Sequence, residues 1–244
     1  MTREQSINSP EHVQKMSLPV EFKDWLKPSE VGEHQTLYLV NTRLWIDQLS
    51  KKYHRQITID TIPNNEWDKL FEKYDYFWFM GIYAPSNASQ EHAKKWCHEF
   101  RYALPDLDPE KDVVASPFAI PEYVPNPKIA KNWQSWDKML NKLHRHGKKV
   151  MIDFVPNHTA LDAELAKSHP EYFIQGNLDQ YNSQPNFFYP VVANNGQTYY
   201  IAHGKDPNFP EWADTLQLNY GVPELHDEMT KQLLELSRHS DGVR

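Results

Sequence analysis

The stretch "VMIDFVPNHT", residues 150–159, decides the fold of this protein. It is an apolar run that contains one acid, Asp153, and it stops at a proline followed by Asn157 and His158. A continuous apolar run that directly follows a helix is typical of a parallel strand covered on both faces. The sequence therefore predicts a buried strand with polar residues at its C-terminal end, and Asp153 is the residue that needs an explanation.

Two further strands and two helices are predicted upstream of this stretch. Apolar residues at three- and four-residue steps predict helices over 66–74 and 133–143, and Gly147 is placed to end the second helix in a left-handed conformation. Short apolar runs predict strands over 36–46 and 74–86. The resulting order, βαβαβ, leaves two architectures open: a doubly wound sheet and a (β/α)8 barrel.

The rest of the chain divides by composition. Residues 1–35 are polar and interrupted by prolines, which predicts a tail. Residues 85–131 are irregular and rich in proline, as expected of a long functional loop. Residues 160–223 are irregular and aromatic, long enough for a small inserted subdomain, and a helical stripe over 222–236 then leads to "SDGVR", the start of a fourth strand.

Composition excludes several classes of partner. The net charge is -7 and the lysines are scattered among acids, which argues against a nucleic-acid or anionic-membrane partner. No run approaches the roughly 18 apolar residues of a membrane helix. Cys97 is the one cysteine, so no intrachain disulfide can form, and the N-terminus has no apolar segment of the kind a secretory signal needs. We expect a cytoplasmic protein.

Function in both architectures is expected at the C-terminal ends of the strands, where loops and side chains converge on a crevice. His158 and Asn157 lie at such an end. Periodicity alone does not assign them chemistry: Asp153 then reads as a satisfied buried carboxylate and His158 as a packing or capping histidine. A more specific pattern is needed to decide.

That pattern is present, because "DFVPNHT" resembles the first conserved region of the α-amylase superfamily, glycoside hydrolase family 13. The third barrel strand of that family carries Asp-x-x-x-Asn-His. Three further pieces follow the family order: "YFWFMGIYAPS" resembles its second strand, "ASPFAIPEYVPNP" its aromatic platform loop, and "SDGVR" the start of the strand that carries Arg-x-Asp. The resemblance covers about residues 37–244 and implies a partial (β/α)8 TIM barrel with an inserted domain B after the third strand.

The same resemblance implies a division of the chain. Residues 1–35 are the tail, 36–159 the first half of the catalytic barrel, 160–222 domain B, and 223–244 a barrel helix with the start of the fourth strand. A full barrel takes about 250 residues before insertions. We therefore expect the chain to be the N-terminal part of a longer enzyme, inactive and poorly soluble by itself.

The resemblance also implies roles for particular residues. His158 would donate a hydrogen bond to sugar hydroxyls in the cleaved subsite, and Phe118 would form the aromatic platform on which many relatives use a tyrosine. Asp153 would be a structural acid in a planar bidentate pair with Arg244, which explains the acid in the strand. The catalytic nucleophile is expected two positions after Arg244, so the chain contains none of the catalytic carboxylates.

A calcium ion is a further implication of the resemblance. In calcium-dependent relatives the counterpart of Asn157 binds the ion between barrel and domain B, with oxygen ligands that suit a hard cation. Asp206, Asp214 and Asn219 are the candidate partner oxygens. Gln217, in "TLQLN", stands where many relatives have the acid of "PDLN", so calcium stays an open expectation.

The aromatic residues of the inserted segment have two interpretations: they line a carbohydrate groove, or they form the core of a small subdomain. They are Tyr172, Phe173, Phe187, Phe188, Tyr199, Tyr200, Trp212 and Tyr220.

The predicted function is that of an α-amylase-type glycoside hydrolase or transglycosylase, acting on α-glycosidic bonds of a carbohydrate substrate by a retaining mechanism. The alternative is a non-catalytic amylase-like protein for sugar binding or scaffolding. An Asp two positions after Arg244 would favour the enzyme, and its absence the alternative. A doubly wound nucleotide or sugar enzyme is disfavoured, because no glycine-rich phosphate loop follows any strand.

Overall fold

The computed structural model describes residues 35–244, so the tail predicted over 1–35 lies outside the described residues except for its last position. The strands are β1 (Leu37–Asn41), β2 (Tyr76–Met80), β3 (Lys149–Ile152), β4 (His158–Ala160), β5 (Gln175–Gly176), β6 (Phe188–Val192), β7 (Thr198–Ala202), β8 (Thr215–Gln217) and β9 (Gly242–Val243). The helices are α1 (Thr42–Lys52), α2 (Asn64–Phe71), α3 (Asn87–Lys94), α4 (Cys97–Phe100), α5 (Pro109–Asp112), α6 (Trp133–Arg145), α7 (Glu164–Ser168), α8 (Leu178–Ser183) and α9 (Pro223–Leu236).

A parallel four-stranded sheet in the order β1-β2-β3-β9 is the centre of the fold. Helices connect its successive strands, as parallel pairing requires. The α/β class with a parallel sheet, and the predicted strand at the end of the sequence, are therefore confirmed. Within residues 35–244 the sheet does not close into a barrel, because β1 and β9 pair on one side only.

Aromatic side chains fill the space between this sheet and its helices. Phe77 and Phe79 of β2 and Trp136 of α6 are buried, and the rings of Phe79 and Trp136 meet edge to face with centroids 5.5 Å apart. The Trp136 indole N–H donates to the carbonyl of His239 at 2.8 Å, so its polar group is satisfied inside the core. The apolar stripe predicted for α6 is thus confirmed as its buried face.

The predicted strand over 36–46 was too long. The strand ends at Asn41, whose side chain accepts a hydrogen bond from the backbone N–H of Leu44 and so begins helix α1. Thr42, Ile46 and Leu49 then recur at helical spacing and are buried, which is why these apolar residues continue as a helix. The segment predicted as irregular over 85–131 likewise contains three short helices, α3, α4 and α5.

Residues 158–217 form two small antiparallel sheets, β4-β8 and β5-β7-β6. Phe173, Ile201 and Leu216 belong to a cluster of buried residues that also includes Leu225 and Met229 of α9. Phe173 is therefore core, whereas Phe187 is exposed, so the aromatic residues of this segment do not share one role. The division of the chain at 160 and 222 stays a prediction.

In the part of the chain that the structure describes, every helix is too short or too polar to span a bilayer.

Gly81 ends strand β2 and turns the chain out of the sheet with φ = 75°. A Cβ atom at this position would lie 3.0 Å from Cβ of Pro117, a ring atom that cannot rotate away. Gly147, after α6, also has a positive φ of 68°, as predicted, but a Cβ there would meet nothing within 4 Å. A comparison of substitutions at these two glycines therefore separates the free-energy cost of a positive φ from the free-energy cost of steric crowding.

We predict that Gly81→Ala destabilises the protein more than Gly147→Ala. Both variants place an L side chain at positive φ, which costs about 1 kcal/mol. Gly81→Ala adds overpacking against Pro117, about 1–3 kcal/mol more. Free energies of unfolding from urea titrations measure the difference, and equal losses in the two variants would contradict the crowding seen at Gly81.

Candidate functional site

The segments that follow the carboxyl ends of β3 and β9 line a pocket of about 330 Å³. Its lining residues come from the loop before α6, from the segment after β3, from the segment before and within β8, and from the end of β9: Ser116, Phe118, Val155, His158, Trp212, Asp214, Thr215 and Arg244. The three residues predicted to bind substrate, Phe118, His158 and Arg244, thus line one pocket.

The loop that carries Phe118 is held against the sheet by backbone hydrogen bonds. Asn126 N–H donates to the carbonyl of Ile82 at 2.8 Å, and Ala160 N–H donates to the carbonyl of Ile120 at 3.0 Å. The hydroxyl of Ser116 accepts from the backbone N–H of Phe118 at 3.2 Å, which fixes the turn before the ring. The loop that carries Phe118 is therefore attached to the segment after β2 and to strand β4.

Asp153 lies directly after β3 and is fully buried. Its Oδ1 accepts a hydrogen bond from the Trp78 indole N–H at 2.9 Å, and its Oδ2 accepts from the backbone N–H of Gly81 at 2.8 Å. The Tyr83 hydroxyl donates to the backbone carbonyl of Asp153 at 2.7 Å. One buried acid thus joins the end of β3 to the end of β2.

The predicted bidentate pair between Asp153 and Arg244 is wrong. The guanidinium carbon of Arg244 lies 5.2 Å from the ring centroid of Trp78 and 4.7 Å from that of Phe118, so the group is in cation–π contact with two rings. No hydrogen bond or ion contact joins Arg244 to Asp153 among the described residues, which leaves Arg244 a longer-range attraction to the acid.

Two arginines favour the charged form of the buried acid. The pKa of Asp153 is raised above its ordinary value because burial outweighs the N–H groups of Gly81 and Trp78 and the charges of Arg244 and Arg43, which lower it. Arg43 donates from Nε to the carbonyl of Gly81 at 3.2 Å and from Nη1 to that of Ala115 at 2.8 Å. The backbone of Gly81 therefore connects Arg43 to Asp153, because its C=O accepts from Arg43 and its N–H donates to Asp153.

His158 is a buried side chain at the wall of the pocket. Its Nδ1 lies 3.1 Å from Nδ2 of Asn157, and an amide nitrogen can only donate, so Nδ1 accepts and Nε2 carries the proton of the neutral ring. Burial lowers the pKa of His158, and the nearby charge of Asp214 and a hydrogen bond to the backbone of Phe118 oppose this. The ring also meets the edge of Trp212 at 5.1 Å between centroids.

Trp212 and Asp214 were not predicted as residues of this pocket. Sequence reasoning counted Trp212 among the aromatic residues of the inserted segment and Asp214 among oxygens for calcium. They reach the pocket because β8 pairs with β4 in the register His158–Gln217, which folds residues 212–215 back beside His158. Trp212 and Asp214 precede Gln217 of "TLQLN" by five and three residues, and this spacing was the signal available in the sequence.

The other oxygens predicted for calcium are used locally. Asn219 Oδ1 accepts from the backbone N–H of Gly221 at 3.0 Å, and Asp206 Oδ1 accepts from the N–H groups of Asn208 and Phe209 at 2.7 and 3.1 Å. Among residues 35–244, no three or more His, Cys, Asp or Glu side chains are grouped so that they could hold a metal ion.

The sequence is similar to that of an α-glucosidase, and the structure is similar to those of α-amylases. No family model matches the chain. An α-glucosidase from Culex pipiens is 32% identical over 121 residues, which cover 46% of this chain and 21% of the relative.

Solved structures match over most of the chain. An α-amylase from Lactobacillus plantarum aligns with 86% of this chain and 37% of its own, at 21% identity and a TM-score of 0.55. A maltogenic α-amylase, AmyB, from Thermotoga neapolitana aligns with 86% and 38%, at 19% identity and a TM-score of 0.51. A MutB mutant in complex with its substrate sucrose aligns with 86% and 34%, at 17% identity and a TM-score of 0.54.

The resemblance to the α-amylase family inferred from the motifs is confirmed by these comparisons, which show the shared fold. The chain spans about a fifth of the length of the matched curated relative and little more than a third of the solved structures.

We predict that Asp153→Asn lowers the free energy of unfolding by about 2–4 kcal/mol. An amide has one acceptor oxygen, so its NH2 group would face the N–H of either Trp78 or Gly81, and the negative charge near Arg43 and Arg244 would be lost. Urea unfolding measures the effect. Asp47→Asn, an exposed acid paired with Lys51, is the control; comparable losses for both variants would contradict the role of Asp153.

Proposed function

We propose that this chain forms the N-terminal part of an α-amylase-type glycoside hydrolase or transglycosylase that acts on α-glycosidic bonds. The observation that supports this most directly is the single pocket lined by Phe118, His158 and Arg244, three residues that are distant in sequence and that the family motifs name. The proposal includes a (β/α)8 barrel begun by residues 36–159 and 223–244, with residues 160–222 as domain B.

The chemistry of the pocket suits a sugar ring. Phe118 and Trp212 offer aromatic surface, on which the C–H face of a pyranose packs. The N–H of His158, which also bonds to the backbone of Phe118, is a donor at the pocket wall, and the carboxylate of Asp214 is an acceptor, so sugar hydroxyl groups meet both kinds of partner. A concave site with apolar walls and a few polar groups is typical of small-ligand binding.

We propose that bond cleavage needs acids from outside the described residues. A retaining glycosidase places two carboxyl groups about 5–5.5 Å apart across the scissile bond. Within residues 35–244 the pocket is lined by one carboxylate, Asp214, and both oxygens of the buried Asp153 already accept hydrogen bonds. The resemblance of "SDGVR" to the start of the Arg-x-Asp strand supports a nucleophile two positions after Arg244.

The single carboxylate also favours a second candidate, a non-catalytic sugar-binding protein with an amylase-like fold. Both candidates require the pocket to bind carbohydrate, and they differ in whether bond cleavage follows. Carbohydrate binding is therefore expected of both, and cleavage separates them.

We predict that the chain, purified as a fusion with a solubilising partner protein, binds maltooligosaccharides and that His158→Ala and Phe118→Ala each weaken binding about tenfold or more, which corresponds to about 1.4 kcal/mol. Isothermal titration calorimetry measures the affinities. Tyr102→Ala removes an aromatic ring that is 91% exposed and outside the pocket, and it should bind as the wild type does. Binding of β-linked cellooligosaccharides alone, or equal affinity in all variants, would count against the proposed site.

Residues 1–244 are expected to release no glucose from an α-glucoside, because the pocket has one carboxylate. A longer form that includes the remaining strands of the barrel is expected to cleave the α-linked substrate with retention of anomeric configuration, which proton NMR of the first product measures. Cleavage by residues 1–244 would overturn the proposal that bond cleavage needs acids from outside the described residues. Binding without cleavage in the longer form would favour the sugar-binding protein.

A further inference from the structure

Three backbone and side-chain oxygens converge on one nitrogen, Nε2 of Gln217. The backbone carbonyl of Asn157 lies 2.8 Å from it, the side-chain Oδ1 of Asn157 3.1 Å, and the carbonyl of Leu218 3.3 Å. Gln217 ends β8, and Asn157 immediately precedes β4, so the contact joins the two strands at their open end. All three oxygens act as acceptors toward the same amide group.

The orientation of this amide is determined by its other end. The backbone N–H of Lys205 lies 2.9 Å from Gln217 Oε1, and only an oxygen can accept from it. The NH2 group must therefore be the part that faces Asn157 and Leu218. Its two hydrogens carry the positive end of the amide dipole, and they are shared among three acceptors.

An arrangement of oxygens around a positive centre is what a hard cation prefers, and the family resemblance places a calcium ligand at Asn157. The residues present do not fit that ion. Calcium takes six to eight oxygens at about 2.3–2.6 Å, whereas here the centre of the oxygens is an N–H donor and the three oxygens include no carboxylate. An ion and the amide would compete for the same acceptors.

We propose that the side-chain amide of Gln217 takes the place of a cation at the junction of Asn157 with β8, and that the protein consequently needs no calcium there. The contact has a second effect. Asn157 Oδ1 accepts from Gln217, which turns Asn157 Nδ2 toward Nδ1 of His158 at 3.1 Å. Gln217 therefore also holds the segment that presents His158 to the pocket. This inference stands independently of whether the pocket cleaves sugars.

The test exchanges the amide for an acid that is one methylene shorter. Gln217→Asp removes the donor, withdraws the side chain from the three oxygens and adds a carboxylate, which leaves space for an ion among four oxygen-bearing groups. Thermal melting of the purified chain is measured in EDTA and in millimolar calcium chloride, and calcium binding by isothermal titration calorimetry. Gln134→Asp, at an exposed position of α6, makes the same chemical change away from the junction.

The wild type and Gln134→Asp are expected to melt at the same temperature with and without calcium. Gln217→Asp is expected to melt below the wild type in EDTA and to gain about 5 °C or more when calcium is added. A calcium-dependent melting temperature or a calcium-binding heat in the wild type overturns the proposal, and this measurement decides even if the variant does not fold. A folded Gln217→Asp that ignores calcium also overturns it.

Discussion

The carboxylate of Asp153 is the contact on which the functional end of this fold depends. It is buried where the parallel strands β2 and β3 end, and it accepts one hydrogen bond from the Gly81 backbone and one from the Trp78 side chain. A buried charge is stable only when its hydrogen bonds are made. Because both donors belong to β2 or its end, the charge fixes how the segment after β3 leaves the sheet, and His158 lies on that segment.

Arg244 and Arg43 complete the environment of this charge in different ways. Arg43 contacts it through the Gly81 peptide, whereas Arg244 lies between the rings of Trp78 and Phe118. Arginine suits the second arrangement because its guanidinium is planar and weakly hydrated. Phe118 is consequently held by Arg244 as well as by its own loop. Because Arg244 contacts the Phe118 ring and also attracts Asp153, it links the aromatic wall to the buried acid.

The part of the pocket formed by β8 and the residues before it depends on a neutral contact. Gln217 connects β8 to Asn157 through hydrogen bonds with its amide, and the pairing of β8 with β4 brings Trp212 and Asp214 beside His158. Hydrogen bonds of an amide need no ion and are not screened by salt as charges are. One side of the pocket is thus organised by buried charge and the other by amide groups, both anchored within residues 153–158.

Elements with strong local signals were predictable from the amino-acid sequence alone. The apolar periods of α6 and α9 and the runs of β2 and β3 predicted a parallel α/β fold, and the motif around Asp153 and His158 predicted the family, because these signals depend on residues close in the chain. Local signals misjudged where β1 ends, since an N-cap hydrogen bond outweighed an apolar run. Only the tertiary structure decided the partners of Asp153, the position of Arg244 and the arrival of Trp212 and Asp214 in the pocket. Those contacts join residues from 54 positions apart, His158 and Trp212, to 166 positions apart, Trp78 and Arg244, and strand register, which no local pattern encodes, sets their distances.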